Sequence, residues 1–84
     1  VGLSVVIPLL NEEATLRELT SQIQKATANL DSKTEIIFVD DGSTDDSWNI
    51  IQQIAHTSPD ISAIRFRRNF GKAAALQAGF ARAR

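Results

Sequence analysis

Residues 36–48 read IIFVDDGSTDDSW, an apolar run that stops at two adjacent aspartates and resumes as a polar turn. Four consecutive β-branched or aromatic residues suit a strand covered on both faces, and the Asp-Gly-Ser-Thr cluster after them suits a turn into a helix. Asp40 and Asp41 therefore fall where a buried strand opens onto a loop. A turn or helix cap needs only one such residue, and adjacent carboxylates repel. The pair is thus read as more than turn chemistry, whereas Ser43 with Asp46 three residues later is read as a capping box.

The same alternation extends in both directions. Leu3–Leu9 (LSVVIPL) is a nearly continuous apolar run and predicts a first strand. Asn11 is placed to cap the following helix, with Glu12 and Glu13 in its positive first turn; Glu13 is read as a helix-dipole residue. Leu16, Leu19, Ile23, Ala26 and Leu30 form its apolar face, and Asp31-Ser32-Lys33 ends it. Glu35–Val39 is the second strand, and Trp48, Ile51 and Ala55 line the next helix. Ser58-Pro59-Asp60 breaks the chain before a third strand, Ile61–Phe66. Asn69-Phe70-Gly71 then turns into the alanine-rich helix AAALQAGFARA.

Three strand–helix repeats with short connections predict an α/β, Rossmann-like, three-layer βαβαβα unit. The expected sheet is parallel, in the order 3-2-1, with helices on both faces. Ligands of such sheets sit outside the carboxyl ends of the strands, where residues 8–13, 40–45 and 67–72 converge.

Composition narrows the function. The 84 residues, 43 % apolar and 23 % charged, suit one small domain or part of a larger one. There is no cysteine, so disulfides, thiol nucleophiles and cysteine metal sites are excluded. The apolar runs VVIPLL and IIFV are too short to span a bilayer, which leaves peripheral membrane contact as the expectation. The net charge of −1 conceals an asymmetry: residues 61–84 carry Arg65, Arg67, Arg68, Lys72, Arg82 and Arg84 and no acid. That end offers an anion a positive field. His56, before Ser58-Pro59, is read as a surface residue.

Familiar phosphate signatures do not fit. No glycine follows the first strand, so a G-x-G-x-x-G turn is missing. Gly71-Lys72 lacks the flanking residues of a P-loop. In VDDGST the carboxylates are adjacent rather than spaced as in aspartate phosphotransferases, and they lie on the wrong strand for a receiver domain.

Taken together, SVVIPLLNEEATL, EIIFVDDGSTDDSW and RRNFGKAAALQAGF resemble, in order and spacing, the nucleotide-sugar-binding half of family 2 glycosyltransferases of the GT-A fold. Within that family the third tract is most similar to dolichol-phosphate mannose synthase-like and other polyprenyl-phosphate glycosyltransferases. The resemblance implies that Pro8 and Leu10 border the nucleobase and that Glu12 reaches the nucleoside. Leu10 stands where the family has an aromatic residue, so it can cover a base but cannot stack as a ring. Val39 and Asp41 are implied as the base pocket, with Asp40 supporting the loop. Asn69, Gly71 and Lys72 are implied as the turn bordering the nucleotide.

The resemblance further implies a nucleotide-diphospho-sugar donor, GDP-mannose or a UDP-sugar, and a polyprenyl or dolichyl phosphate acceptor. Mg2+ or Mn2+ would be held by a D-x-D motif expected beyond residue 84, since none occurs here. No catalytic residue and no metal ligand is assigned within residues 1–84, which are expected to be a single partial domain, inactive alone. The expected place of action is cytoplasmic, at the cytoplasmic face of the membrane, with no role for nucleic acid. The alternative is a non-enzymatic nucleotide-binding or interaction module; an oxidoreductase comes third.

Overall fold

The computed structural model describes residues 3–28 and 34–83. The elements are β1 (Leu3–Leu9), α1 (Leu16–Thr27), β2 (Thr34–Asp40), α2 (Ser47–His56), β3 (Ile61–Arg65) and α3 (Lys72–Arg82). The strands form one parallel sheet in the order β1-β2-β3, the expected arrangement read from its other edge. Leu9 and Asp40 pair at the carboxyl end of β1 and β2, and Asp40 pairs with Arg65 on β3. The strand ends are thereby level, and the loops that follow them lie side by side.

The central strand explains the layering. Side chains alternate across a strand, and in β2 both parities are apolar. Ile36 and Phe38 pack with Leu9, Leu16, Ile51, Ile54 and Ile61 in the layer beneath α1 and α2. Ile37 and Val39 pack with Ala75 beneath α3. Phe38 and Ile37 are fully buried. Helices therefore cover both faces, and a strand buried on both sides reads as a continuous apolar run.

Helix α3 approaches the sheet closely because of Gly79. A Cβ there would overlap Val6 Cγ1 and come within 3.3 Å of Val39 Cγ2. The missing side chain lets the helix backbone rest on β1 and β2.

Helix α1 departs from expectation at its start. It begins at Leu16, with Thr15 as the preceding cap residue, and residues 11–15 form a turn instead of its first turn. The reason is that the N–H groups of Asn11 and Glu13 are bound by side chains of the β2–α2 loop, and that of Glu12 by Ser47, the first residue of α2. Asn11 is therefore not the cap of α1, and neither Glu12 nor Glu13 is in its first turn; Glu18 is the acidic residue there. The buried face is Leu16, Thr20 and partly Ile23, with Thr20 Oγ1 donating to the Leu16 carbonyl at 2.8 Å. Leu19 and Ala26, expected on that face, are exposed. Leu30 and residues 31–33, expected to finish the helix, lie outside the described residues. No helix among those described is long and apolar enough to cross a membrane.

Candidate functional site

A cavity of about 330 Å³ opens outside the carboxyl ends of the strands. It is lined by Pro8, Leu9, Leu10 and Glu12 from the end of β1 and its loop, by Asp41 after β2, and by Asn69, Gly71 and Lys72 before and at the start of α3. Every residue singled out from the sequence lines it except Val39, and Leu9 joins the lining. Val39 is fully buried with Ile37 under α3, so its side chain belongs to the core.

The two aspartates diverge. Asp40 ends β2 on the α1/α2 side, fully buried, and its Oδ1 accepts the Ser43 N–H at 2.7 Å. Its Oδ2 is buried with no hydrogen-bond partner among the described residues. Asp40 thus ties its own turn. Asp41 reaches across to the β3–α3 loop, where Oδ1 accepts the Phe70 N–H at 2.7 Å and Oδ2 the Gly71 N–H at 3.0 Å. The adjacent carboxylates serve different loops, which answers their proximity in sequence.

Gly42 makes that reach possible. With φ at +86°, its position would place a Cβ 2.6 Å from Arg68 C and 2.7 Å from Asn69 N. The β3–α3 backbone lies directly against the turn, where only glycine leaves room.

On the other side, the β2–α2 loop binds the β1–α1 loop. Asn11, at φ 53°, accepts N–H groups from Thr44 at 2.8 Å and Asp45 at 3.3 Å through Oδ1. In return, the Asn11 N–H donates to Ser43 Oγ and the Glu12 N–H to Ser47 Oγ, both at 2.9 Å. Asp45 Oδ2 takes the Glu13 N–H at 3.3 Å, and Asp45 Oδ1 the Ser47 N–H at 2.9 Å. Ser43 and Asp46 therefore do not form a capping box: Ser43 serves Asn11, while Asp46 Oδ1 accepts from the Asn49 side chain at 2.8 Å. Desolvation pushes the Asp45 carboxyl up, but its bonds from Ser47 and Glu13 outweigh this and hold it below the ordinary aspartate value.

These ties were invisible in the sequence because they join residues 32 to 35 positions apart. The signal available was composition alone: residues 40–47 hold more short polar side chains than one turn requires.

Three described side chains of the basic end, Arg65, Arg68 and Lys72, point to different places. Lys72 is the basic residue that lines the cavity. The Arg65 guanidinium lies 5.4 Å from the Trp48 ring centroid, and that of Arg68 4.9 Å from Phe70. His56 is exposed in the last turn of α2 beside a separate hollow, of about 370 Å³, that includes Trp48 and Ala63.

A divalent cation does not fit the residues described. Among them no three His, Cys, Asp or Glu side chains converge. Of the two carboxylates that line the cavity, Glu12 and Asp41, the latter already receives an N–H on each oxygen.

A parallel α/β sheet with a cavity at its carboxyl edge, bordered by an aspartate after β2 and a lysine at the start of α3, defines a Rossmann-like α/β class. The chain belongs to glycosyl transferase family 2, whose family model matches residues 4–84. It is 45 % identical over 78 residues to an undecaprenyl-phosphate 4-deoxy-4-formamido-L-arabinose transferase of Pseudomonas savastanoi pv. phaseolicola, covering 92 % of this chain and 23 % of the relative. A protein of the same name from Proteus mirabilis is 40 % identical over 78 residues, covering 92 % and 24 %. Among solved structures, the mannosyltransferase PcManGT from Pyrobaculum calidifontis, in complex with GDP-Man and Mn2+, is similar with a TM-score of 0.82 and 26 % identity. That match covers 98 % of this chain and 24 % of the other. The fold is thus that of the GT-A glycosyltransferases, and the chain spans about a quarter of the length of these relatives.

Proposed function

We propose that the cavity receives the nucleoside diphosphate part of a nucleotide-diphospho-sugar, and that the 84 residues serve as the donor-binding part of a transferase acting on a polyprenyl phosphate. The observation that carries this is the convergence of three separate loops on one cavity, with Glu12, Asp41 and Lys72 at its wall. Pro8 and Leu10 offer apolar cover for one face of a base. Asp41 uses one acceptor position of each oxygen on the loop, and a carboxylate oxygen has a second, available to a ring N–H. Glu12 is suited to accept from a ribose hydroxyl. Lys72, with the start of α3, is suited to the diphosphate.

The donor class is supported by the GDP-Man complex of the structural relative, and the acceptor class by the names of the undecaprenyl-phosphate transferases. A bound Mg2+ or Mn2+ would neutralise charge on the diphosphate, and its ligands are assigned outside the described residues. A water-soluble donor and a lipid acceptor meet at a membrane surface, and the proposed site of action is its cytoplasmic face.

The test is calorimetric titration of these 84 residues with GDP and UDP, with and without Mn2+. Weak binding is expected, nearly independent of the metal and decreasing as salt shortens the Debye length below about 8 Å. No binding of either nucleotide would reject the reading. Tight binding that requires Mn2+ would place a cation site within these residues, contrary to the assignment.

A further inference from the structure

We infer that Asn11 is a positioning residue for Glu12, acting through the β2–α2 loop and resting on the reading that Glu12 meets the nucleoside. Asn11 stands between two cavity-lining residues, Leu10 and Glu12, yet does not line the cavity itself. Its φ of 53° turns the chain sharply off the line of β1. Asparagine is among the few residues that accept this left-handed region, and it adds an acceptor that glycine lacks.

That acceptor does specific work. Asn11 Oδ1 binds the N–H groups of Thr44 and Asp45, so one side chain satisfies two donors of the neighbouring loop. The backbone reciprocates, with the Asn11 and Glu12 N–H groups on Ser43 Oγ and Ser47 Oγ. Both serines are buried, Ser47 completely, so these acceptors have little freedom to move. The Glu12 N–H is held by Ser47, and the Thr15 hydroxyl lies in reach of both its Oε2 at 3.2 Å and its carbonyl at 3.3 Å. An exposed glutamate side chain is otherwise rich in rotamers, and holding its backbone in place reduces what ordering it costs on binding. The clamp therefore acts on ligand affinity through Glu12.

Binding of GDP and UDP by the full-length protein tests this. Asn11→Gly keeps the backbone angle and deletes the amide, and is expected to weaken binding by about tenfold. Asn11→Asp keeps the acceptor and is expected to stay within about threefold of wild type. In a Glu12→Ala background the Asn11→Gly loss is expected to shrink below about twofold, because the positioned group is gone. Ser47→Ala, which releases the Glu12 N–H from a nearly isosteric site, is expected to behave like Asn11→Gly and serves if that variant folds poorly. Wild-type affinity in both variants, or an undiminished loss without the Glu12 side chain, would overturn the positioning role alone. Failure of the wild type to bind either nucleotide would instead remove the proposed function, and the positioning role with it.

Discussion

Asp41 holds Gly71 across the mouth of the cavity, its Oδ2 3.0 Å from the Gly71 nitrogen while Oδ1 receives the Phe70 N–H at 2.7 Å. One buried carboxylate thereby orients two successive amides of the loop that leads into Lys72. On the proposed function, ligand contact and loop support fall to the same side chain, and a substitution there is read in two ways at once.

Asp41→Ala is expected to weaken donor binding by roughly 1–3 kcal/mol in the full-length protein while the sheet stays folded, as when a hydrogen-bonded partner is removed. The amides of Phe70 and Gly71 should then exchange faster with solvent. Titration with the donor nucleotide checks the first effect and hydrogen exchange the second. An unchanged dissociation constant would remove Asp41 from the ligand site, and unchanged exchange would remove it from the loop.

Gly42→Ala should cost about 1–3 kcal/mol of stability, because the added Cβ meets main-chain atoms that no rotamer change can clear and the residue sits at positive φ. The midpoint of urea unfolding measures it. A neutral result would mean that the β3–α3 backbone does not rest on this turn.

Phe38→Ala tests the core. The ring is fully buried in the layer beneath α1 and α2, so truncation should destabilise by about 3–5 kcal/mol. Chemical denaturation should show a large fall in midpoint; a loss under 1 kcal/mol would contradict the central place of β2.

Asp45 gives a pH dependence with a definite sign. Its carboxyl is held below the ordinary value in the folded chain, so the unfolded chain binds more protons across the window between the two. Its contribution is fully present above the unfolded aspartate value and is lost as pH falls through the folded one. Asp45→Asn should flatten the acid limb of the stability profile between those bounds, read from thermal unfolding at stepped pH. An acid limb identical to that of the wild type would refute the assignment.

How much of this was legible in the sequence follows from how far each interaction reaches. The β2 strand was readable because its apolar run is local, and its burial on both faces leaves the same mark at every position from Ile36 to Val39. The cavity wall was readable because strand-end loops of a parallel sheet must converge. The start of α1 was not, because Asn11-Glu12-Glu13 has the composition of a helix start, while its N–H groups are claimed by Ser43, Ser47 and Asp45. Val39 was placed by likeness to a motif, whereas strand alternation puts its side chain with Ile37 under α3. Local patterns announce elements; which loop satisfies which backbone donor is decided only when the elements are assembled.

The β2–α2 loop has a consequence for how such a site can diversify. Loops at the edges of sheets ordinarily absorb insertions and substitutions freely. This one cannot, since an added residue between Ser43 and Ser47 would break the spacing that seats Ser43 on the Asn11 N–H and Ser47 on the Glu12 N–H together. On the proposed function, new ligand preferences therefore enter through wall residues that carry no tie to another loop. Leu10, exposed at 38 % beside the cavity, is the position where an exchange of side chain alters the pocket and leaves its frame standing.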